Sequence, residues 1–233
     1  LQYGGFPEGA HLQSKRDYLM SVYQKIYLGD IAARHRIENS FALRFLFKKL
    51  SESIMQPMSF TRLTNLITST GSKISKATVI NYMDYAKEAY LIFPIKNISS
   101  HLSERESNPK YYFVDNGIIS LLTLNAESAL LENTVAMELL RRYGQENQVF
   151  FYNEKVEVDF YIPETTTAIQ VCLYPHESDE TWRRETEALI RFSKHLPCSQ
   201  CLLITMNDEE TLTVDGVTIQ LIPAWKWLIA SPR

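Results

Sequence analysis

The sequence predicts an α+β first half, mainly helical, followed by an α/β second half built on a mixed sheet flanked by helices. Three observations predict it. Apolar residues recur at helical spacing as far as Ala89. Beyond Gln148, short strand-like runs alternate with one long amphipathic helix. The sign of the charge also changes between the halves: residues 1–115 hold 15 Lys/Arg against 10 Asp/Glu, whereas residues 116–233 hold 9 against 17. Two modules with different partners are expected from such asymmetry.

The first helix runs through Lys15 to Ile31, with Tyr18, Val22, Ile26 and Leu28 on its apolar face. A second spans Phe41 to Ile54, where Phe41, Phe45, Leu46, Leu50 and Ile54 share a face. Ser59 caps a short helix carrying Phe60, Leu63, Leu66 and Ile67, closed near Gly71. Ser75 caps a longer helix with Val79, Tyr82, Met83 and Ala86 inward. That is a helix-turn-helix outline. Strand-like runs at Leu91 to Ile98 and Lys110 to Val114 follow, joined by SSHLSERESNP, which reads as a hairpin wing. The outline thereby becomes a winged helix over 39–115, closed by the turn signal Asp115-Asn116-Gly117.

In the second half Leu130 to Tyr143 reads as a helix. Gln148 to Asn153, Val156 to Ile162 and Ala168 to Leu173 read as strands. Asp179 to His195 is an amphipathic helix, long enough for a parallel crossover into a strand at Cys201 to Thr205. Val217 to Ile222 supplies a fifth strand, and Trp225, Trp227 and Leu228 a docking helix covering the sheet edge.

Composition excludes several classes. With 45% hydrophobic and 22% charged residues the chain is globular, and no run approaches the ~20 apolar residues that a membrane helix needs. Cys172, Cys198 and Cys201 are too few for a disulfide framework, which fits a reducing, cytoplasmic setting without membrane partners. Leu1 is no initiator, and LQYGGFPEG reads like the interior of a longer protein.

Six strings in order carry a resemblance across nearly the whole chain: YGGFPE at Tyr3 to Glu8, YLGDIAARHRI at Tyr27 to Ile37, TVINYMDYAKEAYLI at Thr78 to Ile92, KYYFVDNGI at Lys110 to Ile118, LENTVAMELLRR at Leu131 to Arg142, and EVDFYI at Glu157 to Ile162. Together they resemble the region of unknown function that follows the nucleotide-binding domain in a large prokaryotic family of AAA-type ATPases. The resemblance implies an upstream ATPase domain in cis that holds ATP and Mg, a winged helix, and a C-terminal domain of the PD-(D/E)XK, restriction-endonuclease-like fold over 116–233. Residues 1–38, with Tyr27, Asp30 and Arg34, would then abut the ATPase domain. AAA-type relatives form rings, so an oligomer is compatible with it.

The chain has no G-x-x-x-x-G-K-[ST]; Gly71-Ser72-Lys73 lacks the earlier glycine, so no nest of N–H groups awaits a phosphate and no cofactor is expected here. Carried over residue by residue, the nuclease pattern places its helical acid at Glu132, its strand aspartate and metal ligand at Asp159, and its Glu-x-Lys at Gln170 and Cys172. Gln170 offers a carbonyl oxygen to a hard cation but no charge. Cys172 cannot replace an ammonium that orients water at a metal-bound phosphate. The acidity of this half also opposes a polyanion. A degraded, non-catalytic site is expected; a cation relocated to Lys155, Lys194, Arg183 or Arg184 is what an active nuclease would require. The resemblance sets Arg184 and Glu185 beside the pocket, whereas the plainer reading of that stretch is a helix start with a packed Trp182. Glu157 and Asp159 equally suit the wet face of a half-buried strand.

For nucleic acid the candidates are Lys73, Lys76 and Asn81 at the second helix of the helix-turn-helix, with His101, Arg105 and Lys110 from the wing. Lysines contact phosphate, and Asn81 suits an adenine edge. Asp84 and Glu88 dilute the charge, so a protein partner is an equal alternative. Cys198-Ser-Gln-Cys201 has C-x-x-C spacing but leads into a strand, which favours a core residue and a surface thiol over metal or redox chemistry.

Overall fold

The computed structural model describes residues 1–99, 101–144 and 148–230, and of Ala10, Leu102, Ser103 and Glu104 the backbone alone. It is a mixed α+β protein with a helical part followed by an eight-stranded mixed sheet. Two compact units divide it: Leu1–Pro94 with Glu106–Asn133, and Ile95–Arg105 with the chain from Thr134 onward.

In the first unit, helix α1 (Lys15–Gln24) runs directly into wide π-helical turns over Lys25–Ala33. Their inward face is Leu19, Tyr23, Tyr27 and Ile31. Tyr27 is buried, edge-on to Phe47, with its hydroxyl on the Ser40 carbonyl at 3.1 Å. It is a core residue of this unit and not a docking surface; Asp30 and Arg34 are exposed. Helices α2 (Ser40–Ser51), α3 (Phe60–Thr68) and α4 (Lys76–Glu88) start where short polar side chains accept a free backbone N–H. Asn39 receives Ala42, Ser59 receives Arg62 and Ser75 receives Thr78. Leu43, Leu46, Phe47, Leu63, Ile67 and Met83 form the core beneath them.

Strand β1 (Ile92–Asn97) and strand β2 (Lys110–Phe113) follow, but the segment between them is not a hairpin wing. Leu102–Ser107 is helix α5. The segment LSERES contains Leu, Arg and two Glu, all good helix formers, which outweighs the polar composition that suggested a wing. Arg105 is tied to the Ile98 carbonyl at 2.6 Å and lies over the Phe150 ring, while His101 is exposed. The Asp115-Asn116-Gly117 turn signal is a helix start: Asp115 caps α6 (Asn116–Leu122) by accepting from Gly117 N at 2.7 Å.

Helix α7 (Glu127–Tyr143) leads to strands β3 (Phe150–Asn153), β4 (Glu157–Ile162) and β5 (Thr167–Val171), paired antiparallel in sequence. Helix α8 (Asp179–Ser193) then crosses over to β6 (Gln200–Thr205), parallel to β5. Strand β7 (Glu210–Val214), not expected from the sequence pattern, forms a hairpin with β8 (Val217–Pro223) about Asp215 and Gly216, both at positive φ. The strand order is β2-β1-β3-β4-β5-β6-β8-β7. Helix α9 (Ala224–Ile229) packs mainly on β8 and β6, and Trp227 is capped by the Arg142 guanidinium 4.3 Å from its ring. No helix among the described residues is long and apolar enough to cross a membrane.

Candidate functional site

Antiparallel pairing sets Phe160 opposite Ile169, and the same register one step on sets Asp159 across from Gln170. Residues directly opposite share a face, so both side chains point to the side that α8 covers. Strand β4 is buried along all but its first residue, so Asp159 is not on a wet face; only Glu157 is exposed. Asp159 Oδ2 accepts the Val171 N–H at 3.0 Å, and Asp159 N donates to Gln170 Oε1 at 3.2 Å. The Gln170 amide then donates to Glu185 Oε2 at 2.7 Å. Arg184 closes the chain, its guanidinium donating twice to Glu185 Oε1 at 2.5 and 3.0 Å.

Glu185 lies almost wholly inside on α8, and burial raises its carboxyl above the ordinary value although Arg184 and Gln170 hold it down. Cys172, just past β5, is pushed up to about 11 by burial and then by the Glu185 charge. Its thiol therefore stays protonated at neutral pH. The position where a lysine was expected thus holds an uncharged group, and of the four cations considered Arg184 is the one that joins the cluster. Lys155 is exposed, Lys194 faces Asp215 at 3.9 Å, and Arg183 lines a separate cleft of about 530 Å³ beside Trp182 and Val214.

Glu132 belongs to the other unit, where it is buried with Lys110. Tyr112 Oη donates to Glu132 Oε1 at 2.8 Å and Lys110 Nζ stands 3.5 Å from the same oxygen. This corrects the nucleic-acid assignment of Lys110: its ammonium is completely inside and ion-paired, beyond reach of any phosphate. Lys73, Lys76 and Asn81 are exposed. Lys76 and Asn81, five residues apart on α4, point about 140° from each other around the axis. Lys87 is engaged by Asp84 at 2.6 Å.

Sequence reasoning missed how Asp115 is used. It reaches back 110 residues to accept Gly5 N at 2.6 Å while capping α6. Gly4 has φ +70°, and a Cβ there would lie 1.9 Å from Asp115 Oδ1. Only glycine allows that approach. The signal was present as two strings, Tyr3 to Glu8 and Lys110 to Ile118, without any sign that they meet.

These features define a mixed α+β protein with a helical unit and a mixed-sheet unit in which the buried Asp159, Gln170 and Glu185 are joined by the exposed guanidinium of Arg184. The chain belongs to the family described as a domain of unknown function (DUF8612), which matches residues 1–129. It is 34% identical, over 97% of its length, to an uncharacterized protein of Methanocaldococcus jannaschii. An uncharacterized protein of Haemophilus influenzae is 27% identical over 96% of the chain. The chain covers 54% and 56% of these relatives and so spans about half the length of the curated proteins it matches. No solved structure matches it.

Proposed function

We propose that this chain is the C-terminal, non-catalytic portion of a larger AAA-type ATPase, and that it contacts DNA or a protein partner while the remainder of the protein supplies ATP hydrolysis. The observation that carries the reading is the state of the nuclease-like positions. One oxygen of Asp159 is engaged by its own sheet, Gln170 stands in place of an acid and bridges to Glu185, and a thiol that stays neutral occupies the lysine position. A hard divalent cation favours several charged oxygens, and among the described residues no group of three or more His, Cys, Asp or Glu is arranged to hold a metal. The resemblance in six strings and the greater length of the relatives support the larger parent.

The second reading is a metal-dependent nuclease with a rearranged site, favoured by Arg184 beside Glu185. Incubating the chain with supercoiled plasmid and forked DNA in Mg²⁺ and in Mn²⁺ separates the two. We expect no nicking with either metal. Cutting that disappears in Asp159→Asn would replace the first reading by the second.

A further inference from the structure

Cys198 and Cys201 are brought together more closely than their place in the sequence suggested. Their sulfurs stand 3.4 Å apart at the junction between the loop after α8 and the first residues of β6. Cys201 is buried in the core formed by Tyr161, Ala168, Leu189 and Phe192, whereas Cys198 is half-exposed. The loop is fixed from both sides. Ser199 N donates to the Thr166 carbonyl at 2.9 Å, Ser199 Oγ reaches the Thr165 carbonyl at 3.0 Å, and Tyr161 Oη donates to the Pro197 carbonyl at 2.7 Å.

We propose that Cys198 and Cys201 form a dithiol site that exchanges with small-molecule disulfides, Cys198 attacking and Cys201 resolving. The inference stands apart from the proposed function and concerns neither the Asp159 cluster nor any ATPase. A disulfide needs its sulfurs to close to about 2.05 Å, a movement that side-chain rotation supplies when the sulfurs already face each other. The roles follow from exposure: an incoming disulfide meets Cys198 first, and Cys201 is shielded from it.

The electrostatics agree. The Cys201 S–H facing it lowers the Cys198 thiol below its ordinary value, against burial and with help from backbone hydrogen bonds at Ala168 and Gln200. Cys201 is driven up, first by the Cys198 sulfur itself and then by burial. That first cause disappears once Cys198 is capped. In the first step the Cys198 thiolate attacks one sulfur of the small disulfide, and the other half leaves as a thiolate and takes up a proton. In the second, the Cys201 sulfur attacks Cys198, and the second small thiol departs with the proton that Cys201 gives up. Two protein thiols and one small disulfide become one protein disulfide and two small thiols, with two electrons passing to the small molecule. Cys172, pushed up to about 11, serves as an unreactive internal control.

The test treats the reduced chain under native conditions with glutathione disulfide and follows intact mass, free thiols and peptide maps. We expect the wild type to lose two of its three thiols without retaining an adduct, the cross-link mapping to Cys198 and Cys201, at a rate that rises with pH as the Cys198 thiol ionises. Cys201→Ser should stop at a one-glutathione adduct. Cys198→Ser should react more slowly by at least about tenfold. A wild type that keeps its adduct, or a Cys198→Ser that keeps pace with it, overturns the proposal. The wild-type map decides the matter without variants. Should Cys201→Ser prove unfolded by circular dichroism, Cys201→Ala repeats that arm.

Discussion

Lys110 shows how much one side chain's surroundings decide. In the sequence it opens a strand-like run after a polar segment and looks like a phosphate contact. In the structure it is sealed inside with Glu132 and Tyr112. Removing one partner of a buried ion pair leaves the other charge uncompensated, typically a loss of about 3–5 kcal/mol. Lys110→Ala should therefore lower unfolding free energy by about 3–5 kcal/mol in urea titration. An unchanged midpoint would return Lys110 to the surface. Glu185 gives a pH-dependent counterpart. Its carboxyl is raised in the folded state, so the native protein binds that proton more tightly than the unfolded chain. The stability it contributes is complete below the ordinary glutamate range and is lost as pH rises through the raised value. The stability of the wild type relative to Glu185→Gln should accordingly fall with pH across that window. A difference independent of pH would show that burial does not dominate at this carboxyl.

Among elements, two of the glycines at positive φ, Gly216 and Gly4, test separate causes of glycine's necessity. Gly216, at φ +78°, closes the β7–β8 hairpin with open space around a built Cβ, so Gly216→Ala carries backbone strain alone, about 1–2 kcal/mol. Gly4→Ala adds a collision with the Asp115 carboxylate and must break the Gly5 N–H hydrogen bond as well. It should cost more than Gly216→Ala in thermal melts, with faster hydrogen exchange at the start of α6. Equal costs would mean that the Asp115 clamp yields without penalty. The longer helices were legible because their signals are local: Ser59 and Ser75 cap as their side-chain chemistry demands. Strand β7 was not legible. Glu210–Val214 is an edge strand with no buried face, so the alternation that marks a half-buried strand is missing. The supposed wing failed for the opposite reason, since Ser, Glu and Asn suit both turns and short helices.

For the whole molecule, the opposite charges of the two sequence halves make a measurable claim. If the basic first half contacts duplex DNA, binding should weaken steeply with salt, and Lys73→Glu with Lys76→Glu should flatten that slope by about one unit for each phosphate no longer neutralised. Fluorescence anisotropy with a labelled duplex across a salt series reads both. Absence of binding at low salt leaves a protein partner as the contact. Lys110 no longer belongs in that set, and the exposed face of α4, bearing Asp84 and Glu88 beside Lys87, offers little net charge.

Periodicity, caps and composition by themselves determined the class of fold, the longer helices and the succession of the central strands along the chain, because each depends on neighbours within a turn or a strand. The family resemblance set Asp159 at the strand aspartate of a nuclease pattern and marked Gln170 and Cys172 as departures from it. Only the tertiary structure decided that Arg184 and Glu185 join Gln170, that Asp115 clasps Gly5, that Lys110 is buried on Glu132, and that Cys198 faces Cys201. The physical reason is common to all four. A buried charge, a close backbone approach or a facing thiol pair depends on the groups that the fold brings around it, and local spacing does not specify which side chains will share that interior.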